Sequence, residues 1–237
     1  MNSKYLYLLV DLAAISLPLA FSFHPKANFS RKWKFLWPAI LLPATFFLIW
    51  DEWFTSMGVW GFNPDYLTGI YVFSLPIEEI LFFICIPYAC IFTYEAVGFF
   101  SNSDPLKSHQ EKISVGLMVI LSIVGLLNLD KWYTSVTFLL CTSYLAYLQF
   151  KVKPQYMGKF YLSFLFILIP FFLVNGILTG TGIEGEIVWY NNSENLGIRM
   201  GTIPIEDTFY GMLLILMNIA IFESLQKKSL EASLDKI

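Results

Sequence analysis

The stretch LPIEEILFF (residues 75–83) places two adjacent carboxylates, Glu78 and Glu79, directly before a run of apolar residues. The stretch IPIEDTFYG (residues 203–211) repeats this arrangement with Glu206 and Asp207. A charged carboxylate inside the hydrocarbon of a membrane costs about 2.5–3.5 kcal/mol even on the mildest scale. An acidic pair that occurs twice in such surroundings is therefore predicted to have a function.

The composition of the whole chain indicates a membrane protein. Hydrophobic residues make up 57% of the 237 residues and charged residues only 14%, whereas soluble domains carry about 25% charged residues. The net charge of -3 is small, and the basic residues are spread over short loops. This pattern argues against a protein that binds nucleic acid.

Seven apolar segments are long enough to cross a bilayer, which takes about 17–25 residues. They are residues 5–23, 33–50, 72–94, 113–129, 133–150, 160–178 and 203–222. If residues 24–32 are cytoplasmic, twelve of the 15 Lys and Arg residues, Lys236 among them, lie on that side. The positive-inside rule then places the N-terminus outside and the C-terminus inside. Asp11 interrupts the first segment, which is therefore predicted to be a retained helix and not a signal peptide.

The sequence also matches itself when one copy is shifted by a constant offset along the chain. The same shift aligns Asn63 with Asn191, Gly69 with Gly197, Ile70 with Ile198, Ser74 with Thr202, Pro76 with Pro204, Ile77 with Ile205, Glu78 with Glu206, Glu79 with Asp207 and Glu95 with Glu223. Four crossings separate equivalent segments, so both copies run through the membrane in the same direction.

We therefore predict an all-α integral membrane fold with seven transmembrane helices. Spans 1–3 and 5–7 form two parallel three-helix repeats, and span 4 is a linker helix. The predicted units are a first repeat (1–98), a cytoplasmic loop with the linker helix (99–131), a second repeat (132–224) and a cytoplasmic tail (225–237).

The position of the two motifs favours acid–base chemistry. Pro76 and Pro204 are predicted to lie in the first turn of their helices, with Ser74 and Thr202 as caps. Adjacent helical positions differ by about 100°, so one carboxyl of each motif can face the centre of the bundle. If the two motif helices meet there, a protonated carboxyl beside an ionised one would provide an acid and a base. The alternative is that the acids only cap helices and pair with Arg199 or with lipids.

No metal or cofactor is predicted. Cys85, Cys90 and Cys141 lie inside predicted spans without a CxxC spacing, and His24 and His109 lie in loops. The sequence has no P-loop, dinucleotide fingerprint or GxSxG motif.

Other polar and aromatic residues have supporting roles in this interpretation. Glu95 and Glu223 lie near cytoplasmic lysines and are predicted to be structural, whereas Asp11 has no counterpart in the second copy and its role stays open. Aromatic faces stabilise a cation without attacking it. Candidates beside the motifs include Trp50, Phe82, Phe83, Phe209 and Tyr210.

The paired motifs resemble the PxE(E/D) signatures of the cofactor-independent membrane lycopene cyclases. The resemblance rests on LPIEE followed by LFF, on IPIED preceded by GIRMG, and on WDEWFTSMGVWGFNP (residues 50–64) and NGILTG (residues 175–180). These enzymes occur as two small subunits or as fused chains in bacteria and as the cyclase part of fungal phytoene synthase/lycopene cyclases. The chain is similar to the fused form nearly from end to end.

The resemblance implies a lycopene β-cyclase, an intramolecular lyase or isomerase without a cofactor. It would close the linear ends of lycopene, taken from the bilayer, into β-ionone rings. The resemblance also implies that the protein lies in a bacterial inner membrane and can associate with other carotenoid enzymes. The acid and base would be Glu78 or Glu79 and Glu206 or Asp207. The supporting candidates are Arg199, Asp51, Glu52, Asn63 and Asn191.

Other functions remain open at this point. Within the cyclases, the chain could act on C50 carotenoids or form ε or γ rings. Outside them, a small proton-coupled transporter is the main rival, because repeats and intramembrane acids are typical of transporters. Pro87 would break span 3 as in a transporter, but Ile215 stands at the equivalent position of the second copy. Two further functions rank lower. One is a structural protein without catalysis, and the other is a prenyltransferase, whose aspartate-rich magnesium motifs are missing from this sequence.

Overall fold

The computed structural model describes residues 4–100 and 104–234. Within these ranges the chain forms seven α-helices, in the order and number of the predicted segments. They are α1 (Leu6–Ser22), α2 (Trp33–Met57), α3 (Ile77–Phe100), α4 (Gln110–Leu127), α5 (Trp132–Ala146), α6 (Met157–Leu178) and α7 (Ile205–Leu234). Residues 101–103 of the predicted linker and 235–237 of the predicted tail, including Lys236, lie outside the described residues.

Five of these helices are long and apolar enough to cross a membrane. They are α3, α4, α6, α7 and the continuous segment Phe29–Met57, which joins a 3-10 turn to α2. Helix α1 is apolar and, with 17 residues, lies at the lower limit of length for a span. Helix α5 has 15 residues before a six-residue π-helical segment, Tyr147–Val152. The chain is therefore an all-α membrane protein with five candidate spans, and the complete seven-span topology stays a prediction.

The distribution of side chains is that of a protein surrounded by lipid. Large apolar side chains point outward, with Leu127 77% and Leu173 67% exposed, whereas Asp11, Glu78 and Glu206 are fully buried. In hydrocarbon, polar side chains are least costly when they face the interior of the bundle, where other protein groups can satisfy them. The buried acids therefore belong to the inside of the helix bundle.

The predicted third and seventh segments begin too early. Residues before α3 form a hairpin of β2 (Tyr71–Val72) with β3 (Leu75–Pro76), and residues before α7 form one of β5 (Arg199–Met200) with β6 (Ile203–Pro204). Each hairpin turns at a residue with positive φ, Phe73 at 57° and Gly201 at 67°. Since these turn residues stand at equivalent positions of the internal repeat, the two copies share the same local geometry.

The predicted capping of these helices is also wrong. Pro76 and Pro204 lie in the hairpins and not in the first helical turn. The Ser74 hydroxyl instead donates to Glu52 Oε1 over 2.7 Å, and the Thr202 hydroxyl lies 2.7 Å from that of Thr179. These side chains bond to neighbouring elements because the hairpins carry them away from the helix ends.

A two-stranded ribbon joins the two loops. Strand β1 (Trp60–Phe62) pairs antiparallel with β4 (Val188–Tyr190). Just outside the ribbon, the Asn63 N–H donates to the Ile187 carbonyl over 2.8 Å, and the Asn191 N–H donates to the Val59 carbonyl over 2.9 Å. These two bonds are equivalent in the internal repeat, because the shift that relates the two copies converts one into the other. The two loops therefore bind each other by reciprocal contacts. We call this end of the bundle the hairpin end.

The helix contacts bring the two motif helices together. Helices α3 and α7 contact each other, α2 packs against α7, and α6 packs against α3. Helix α1 packs along α3 and α5 along α7, while α4 lies against α5. The first turns of α3 and α7, which carry the four acidic motif residues, consequently lie under the β1–β4 ribbon.

The opposite end of the bundle is basic. Eight cationic side chains surround a hollow there: Lys26, Arg31, Lys32, Lys34, Lys107, Lys153, Lys159 and Lys227. Lys32 forms an ion pair with Glu95, and Lys159 Nζ lies 3.6 Å from the other oxygen of Glu95. The Tyr94 hydroxyl donates to Glu223 over 2.5 Å. Glu95 and Glu223 thus connect the 3-10 turn before α2 with α3, α6 and α7 at this end.

Candidate active site

A cavity lies between α1, α3, α6 and α7 below the ribbon. Most of its wall is apolar, and three carboxyl groups, those of Asp51, Glu79 and Asp207, line it at the hairpin end. Ligand sites are typically apolar cavities with a few convergent polar groups. The arrangement therefore marks this cavity as the candidate active site.

Glu79 lies in the first turn of α3 and is the acid that this helix presents to the cavity. The Tyr7 hydroxyl, from α1, donates a hydrogen bond to Glu79 Oε2. The side chain of Asp51, from α2, lines the same cavity and is close enough to Glu79 for an electrostatic interaction between the two carboxyls.

Asp51 is held by a second contact. The Trp60 indole N–H, from β1, donates to Asp51 Oδ1 over 2.6 Å. The other oxygen, Oδ2, is buried and accepts no hydrogen bond from a donor among the described residues. Asp51 and Glu79 are thus two buried carboxyls of one cavity, each of which accepts a hydrogen bond from an aromatic side chain, Trp60 and Tyr7 respectively.

Asp207 has a different environment, on the facing helix. The Tyr133 hydroxyl, from α5, donates to Asp207 Oδ1 over 2.5 Å, and the Tyr190 hydroxyl, from β4, donates to Oδ2 over 3.0 Å. Both oxygens therefore act as acceptors, which is the pattern of an ionised carboxylate. Burial and the nearby Asp207 raise the pKa of the Tyr190 phenol, so this donor keeps its proton at neutral pH.

The other acid of each motif does not line the cavity. Glu78 Oε1 accepts the backbone N–H of Thr68 over 2.7 Å. Glu206 Oε1 accepts the backbone N–H of Leu196 over 2.8 Å and the Thr134 hydroxyl over 2.7 Å. The two backbone contacts stand at equivalent positions of the repeat, so each of these fully buried acids ties its own loop to the helix that follows.

Arg199 makes no ion pair with a motif carboxylate within the described parts of the chain. Its guanidinium donates to the Asn192 side chain over 2.7 Å and to the Thr202 carbonyl over 3.1 Å. It lies 5.3 Å from the centre of the Tyr190 ring. Arg199 therefore contacts the tyrosine that bonds Asp207, and not Asp207 itself.

Three further predicted site residues organise the loops. The carboxylate of Glu52 accepts two hydrogen bonds from Ser74, one from its backbone N–H over 3.0 Å and one from its hydroxyl. The side chain of Asn63 accepts the N–H of Asp65, and the side chain of Asn191 accepts the N–H of Ser193, over 3.0 and 3.1 Å. These asparagines form the same turn in both copies, and they do not line the cavity.

The predicted aromatic candidates divide into lining and packing residues. Tyr210 and Phe82 line the cavity. The Tyr210 ring is 4.9 Å from Trp50, between ring centres, and Phe83 is packed 6.0 Å from Phe47 in the core. Phe209 packs against Phe138 at 5.1 Å. Trp50, Phe83 and Phe209 therefore support the walls of the cavity and do not form them.

Sequence reasoning missed three tyrosines of the site, Tyr7, Tyr133 and Tyr190. Tyr7 and Tyr133 lie 72 and 74 residues from the carboxylates they bond, and no spacing in the chain signals these pairs.

Asp11, whose role the sequence left open, is fully buried on α1. Neither of its oxygens has a hydrogen-bond partner among the described residues.

Within the described residues, no group of three or more His, Cys, Asp or Glu side chains is arranged to hold a metal ion. Cys85, Cys90 and Cys141 are free and buried.

Comparison of the sequence with known protein families gives one match, and it covers most of the chain. The family model described as lycopene cyclase matches residues 4–97 and 130–225, well over half of the chain, in two separate regions. Comparisons with curated proteins and with solved structures found no match. The first matched region covers α1, α2 and most of α3, the second covers α5, α6 and most of α7, and each contains one acidic motif. The chain therefore belongs to the lycopene cyclase family.

Proposed function

We propose that this membrane cyclase is a lycopene β-cyclase, which converts linear ends of lycopene into β-ionone rings by acid–base chemistry without a redox step. The observation that carries the proposal is the presence of two differently held acidic groups in one apolar cavity. The Asp51–Glu79 pair lies on one side and Asp207, bound by two tyrosine hydroxyls, on the other.

The Asp51–Glu79 pair is the proposed acid. Two ionised carboxylates that line one buried site repel each other, which favours a proton on one of them. Tyr7 and Trp60 donate to one oxygen of each member, and a proton held by the pair is the one we propose to be available to a substrate. Glu79 lies in the first turn of α3 and is the member that delivers it.

Asp207 is the proposed base. Its two oxygens accept hydrogen bonds from Tyr133 and Tyr190, and hydrogen bonds to the ionised form stabilise that form. The sequence motifs alone left the acid and the base unassigned. The different hydrogen-bond partners of Glu79 and Asp207 support the assignment of Glu79 as the acid and Asp207 as the base.

The reaction balances without a cofactor. Glu79 adds a proton to the terminal double bond, which leaves a tertiary cation. The electrons of the C5=C6 double bond attack this cation and form the ring bond, so the positive charge moves to C5. Asp207 then removes the proton at C6, and the electrons of the broken C–H bond form the double bond of the β ring. The proton returns to the acid pair between turnovers, so none is consumed.

The aromatic wall suits the cationic intermediate. Tyr210 and Trp60 line the cavity with their ring centres 6.0 Å apart, and Phe82 lies 6.4 Å from Tyr7. Ring faces attract a cation electrostatically, by about 0.5–2 kcal/mol each. These aromatic carbons also offer no strong nucleophile that would trap the cation before Asp207 removes the proton.

The finer architecture belongs to the same proposal. Two parallel three-helix repeats, with the N-terminus outside and the C-terminus inside, are supported by the reciprocal bonds of Asn63 and Asn191 and by the cations around the end opposite the hairpins. Under this topology the acidic groups lie near the outer face of the membrane. Lycopene reaches them from the bilayer, a bacterial inner membrane in our proposal, where other carotenoid enzymes are the expected neighbours.

The decisive experiment is pigment chromatography of a bacterial host that accumulates lycopene. The intact gene is compared with Glu79→Gln, Asp51→Asn and Asp207→Asn, which keep the size of each side chain. The matched control is Glu111→Gln, at an exposed residue of α4. Membrane abundance of each variant is measured by immunoblot.

We expect β-carotene or monocyclic γ-carotene with the intact gene and with the control. Loss of a general acid or base lowers turnover by about 100-fold or more, so the three site variants should accumulate lycopene at normal protein abundance. Unchanged lycopene with abundant intact protein would refute the proposal. A product with ε rings would keep the assignment as a cyclase and contradict the proposed removal of the proton at C6.

A further inference from the structure

We propose that the basic hollow, at the end of the bundle opposite the hairpins, binds the phosphate headgroup of an anionic phospholipid, whose acyl chains lie against the apolar part of its rim. The hollow is the one surrounded by the eight cationic side chains of that end. Among the described residues, none lines both this hollow and the candidate active site. The inference therefore stands apart from the proposed reaction.

The first observation is the surplus of positive charge in the hollow. Lys32 and Lys159 pair with Glu95. Lys227 pairs with Glu231 over 3.8 Å. Five cations of the hollow form no ion pair within the described residues: Lys26, Arg31, Lys34, Lys107 and Lys153. Like charges that surround one hollow repel each other and destabilise the folded protein, and a bound anion removes this cost.

The second observation separates this arrangement from the general excess of cations at one side of a membrane protein. That excess requires only that Lys and Arg lie in short loops on the cytoplasmic side. Lys112, Lys151 and Lys228 meet this requirement as exposed residues that do not line the hollow. The five unpaired cations come from three separate parts of the chain, around the start of α2, between α3 and α4, and between α5 and α6. Their convergence on one concave surface is a feature of the fold.

The third observation concerns the backbone of Lys153, which ends the π-helical segment Tyr147–Val152. Its φ of 52° lies in the left-handed region, where glycine is favoured because a side chain is strained there. The Lys153 N–H donates to the Leu148 carbonyl over 2.7 Å, so the end of the segment fixes this conformation. A lysine at a position that suits glycine is explained if its charge is needed in the hollow.

The fourth observation is the apolar part of the rim. Phe99, Phe100 and Leu230 line the hollow and are 57%, 82% and 63% exposed. A free phosphate ion would contact only the cations. A phospholipid uses both parts, because its headgroup meets the cations and its acyl chains meet the exposed apolar side chains. Basic pockets between the helices of membrane proteins bind anionic headgroups in this way.

The test compares two sets of three substitutions that change the charge equally. The hollow set removes one unpaired cation from each contributing part of the chain: Arg31→Gln, Lys107→Gln and Lys153→Gln. The control set removes three cations outside the hollow: Lys112→Gln, Lys151→Gln and Lys228→Gln. All six side chains are exposed and form no ion pair in the described parts of the chain, so both proteins should fold. Their unfolding midpoints in detergent check this.

Binding is measured on the purified full chain in an uncharged detergent, by native mass spectrometry. The protein is titrated with phosphatidylglycerol, which is anionic, and separately with phosphatidylcholine, which has no net charge. Glycerol phosphate, which carries the charged group without acyl chains, is added as a competitor. These probes distinguish a lipid site from a site for free phosphate.

We expect the intact protein and the control set to bind phosphatidylglycerol at least about tenfold more tightly than phosphatidylcholine. The hollow set should lose this preference, because each Lys or Arg near an anionic surface contributes about fivefold in affinity. Equal weakening in both sets, or no preference in the intact protein, would overturn the proposal. Displacement of the lipid by an equimolar amount of glycerol phosphate would also overturn it, because the hollow would then be a phosphate site.

Lys153→Gly adds a readout that separates binding from folding. Glycine relieves the left-handed strain, so the unfolding midpoint without lipid should rise. Binding of phosphatidylglycerol should nevertheless fall by about fivefold. Unchanged binding in this variant, whatever its midpoint, would show that Lys153 does not contact the lipid and would remove the third observation from the argument.

Discussion

Gly61 lies directly opposite Trp189 in the ribbon of β1 and β4, and these two residues occupy equivalent positions in the two copies of the internal repeat. The indole of Trp189 covers Gly61 so closely that a Cβ there would lie 2.3 Å from a ring carbon. The ribbon therefore joins equivalent segments by placing a large side chain over a residue that has none. Trp60 and Tyr190, the next pair along the ribbon, both line the site.

This relationship predicts that Gly61→Ala destabilises the protein. The added methyl must displace the indole of Trp189, and overpacking of this kind costs about 1–3 kcal/mol. The measurement is the thermal unfolding midpoint in detergent for Gly61→Ala, Trp189→Ala and the double variant. Because the conflict needs both side chains, the double variant should be more stable than the sum of the single effects predicts. Additive losses would contradict the contact.

The two acids of each motif are predicted to differ in role. Glu78 accepts the Thr68 N–H, so Glu78→Ala leaves that buried donor without a partner, at a cost of about 1–3 kcal/mol. We expect lower abundance in the membrane for Glu78→Ala. Glu78→Gln keeps an acceptor oxygen and should retain both abundance and ring formation, in contrast to Glu79→Gln. Loss of ring formation in an abundant Glu78→Gln protein would show that Glu78 takes part in the chemistry.

The tyrosines around Asp207 are predicted to control turnover. Tyr133→Phe and Tyr190→Phe each remove one donor to the proposed base, and a hydrogen bond to a charged group contributes about 1.5–3 kcal/mol. Ring formation per protein molecule should fall by about 10- to 100-fold. The control is Tyr161→Phe, since this buried hydroxyl bonds to Ser114 away from the cavity. Equal losses in all three variants would indicate a general packing effect.

The ion pairs at the basic end are predicted to affect stability and not chemistry. Glu95 joins Lys32 and Lys159, whose side chains are partly exposed, so Glu95→Gln should cost about 1 kcal/mol or less. The expected result is a slightly lower unfolding midpoint in detergent, a smaller difference at high salt, and an unchanged ratio of carotenoid products. A changed product ratio would connect this end of the bundle to the reaction.

The orientation in the membrane can be tested by cysteine labelling of whole cells. Lys26 and Glu184 are exposed at the basic and hairpin ends, and the native Cys85, Cys90 and Cys141 are buried. An impermeant maleimide should label Glu184→Cys in intact cells, and Lys26→Cys only after the cells are opened. The reverse pattern would invert the predicted topology.

The helices and the position of the motifs could be predicted from the sequence because they depend on local properties. Apolar runs of sufficient length predict helices in a membrane, and α3 and α7 begin within a few residues of the predicted starts. The hairpins before them were not predicted. Pro76 and Pro204 fit either a first helical turn or the end of a strand, and contacts with Glu52 and Thr179 decided between these.

The sequence by itself determined that this is a helical membrane protein with two copies of an acidic motif at equivalent positions, because hydrophobicity, charge and internal repetition are properties of the linear chain. The tertiary structure decided which acid of each motif faces the cavity. Adjacent residues necessarily point in different directions around a helix, but the rotation of that helix is set by contacts with other elements, such as those of Glu79 with Tyr7 and Asp207 with Tyr133. It likewise decided that Asp51 joins Glu79 while two tyrosines hold Asp207, because hydrogen-bond partners far apart in the chain meet only when the bundle has packed.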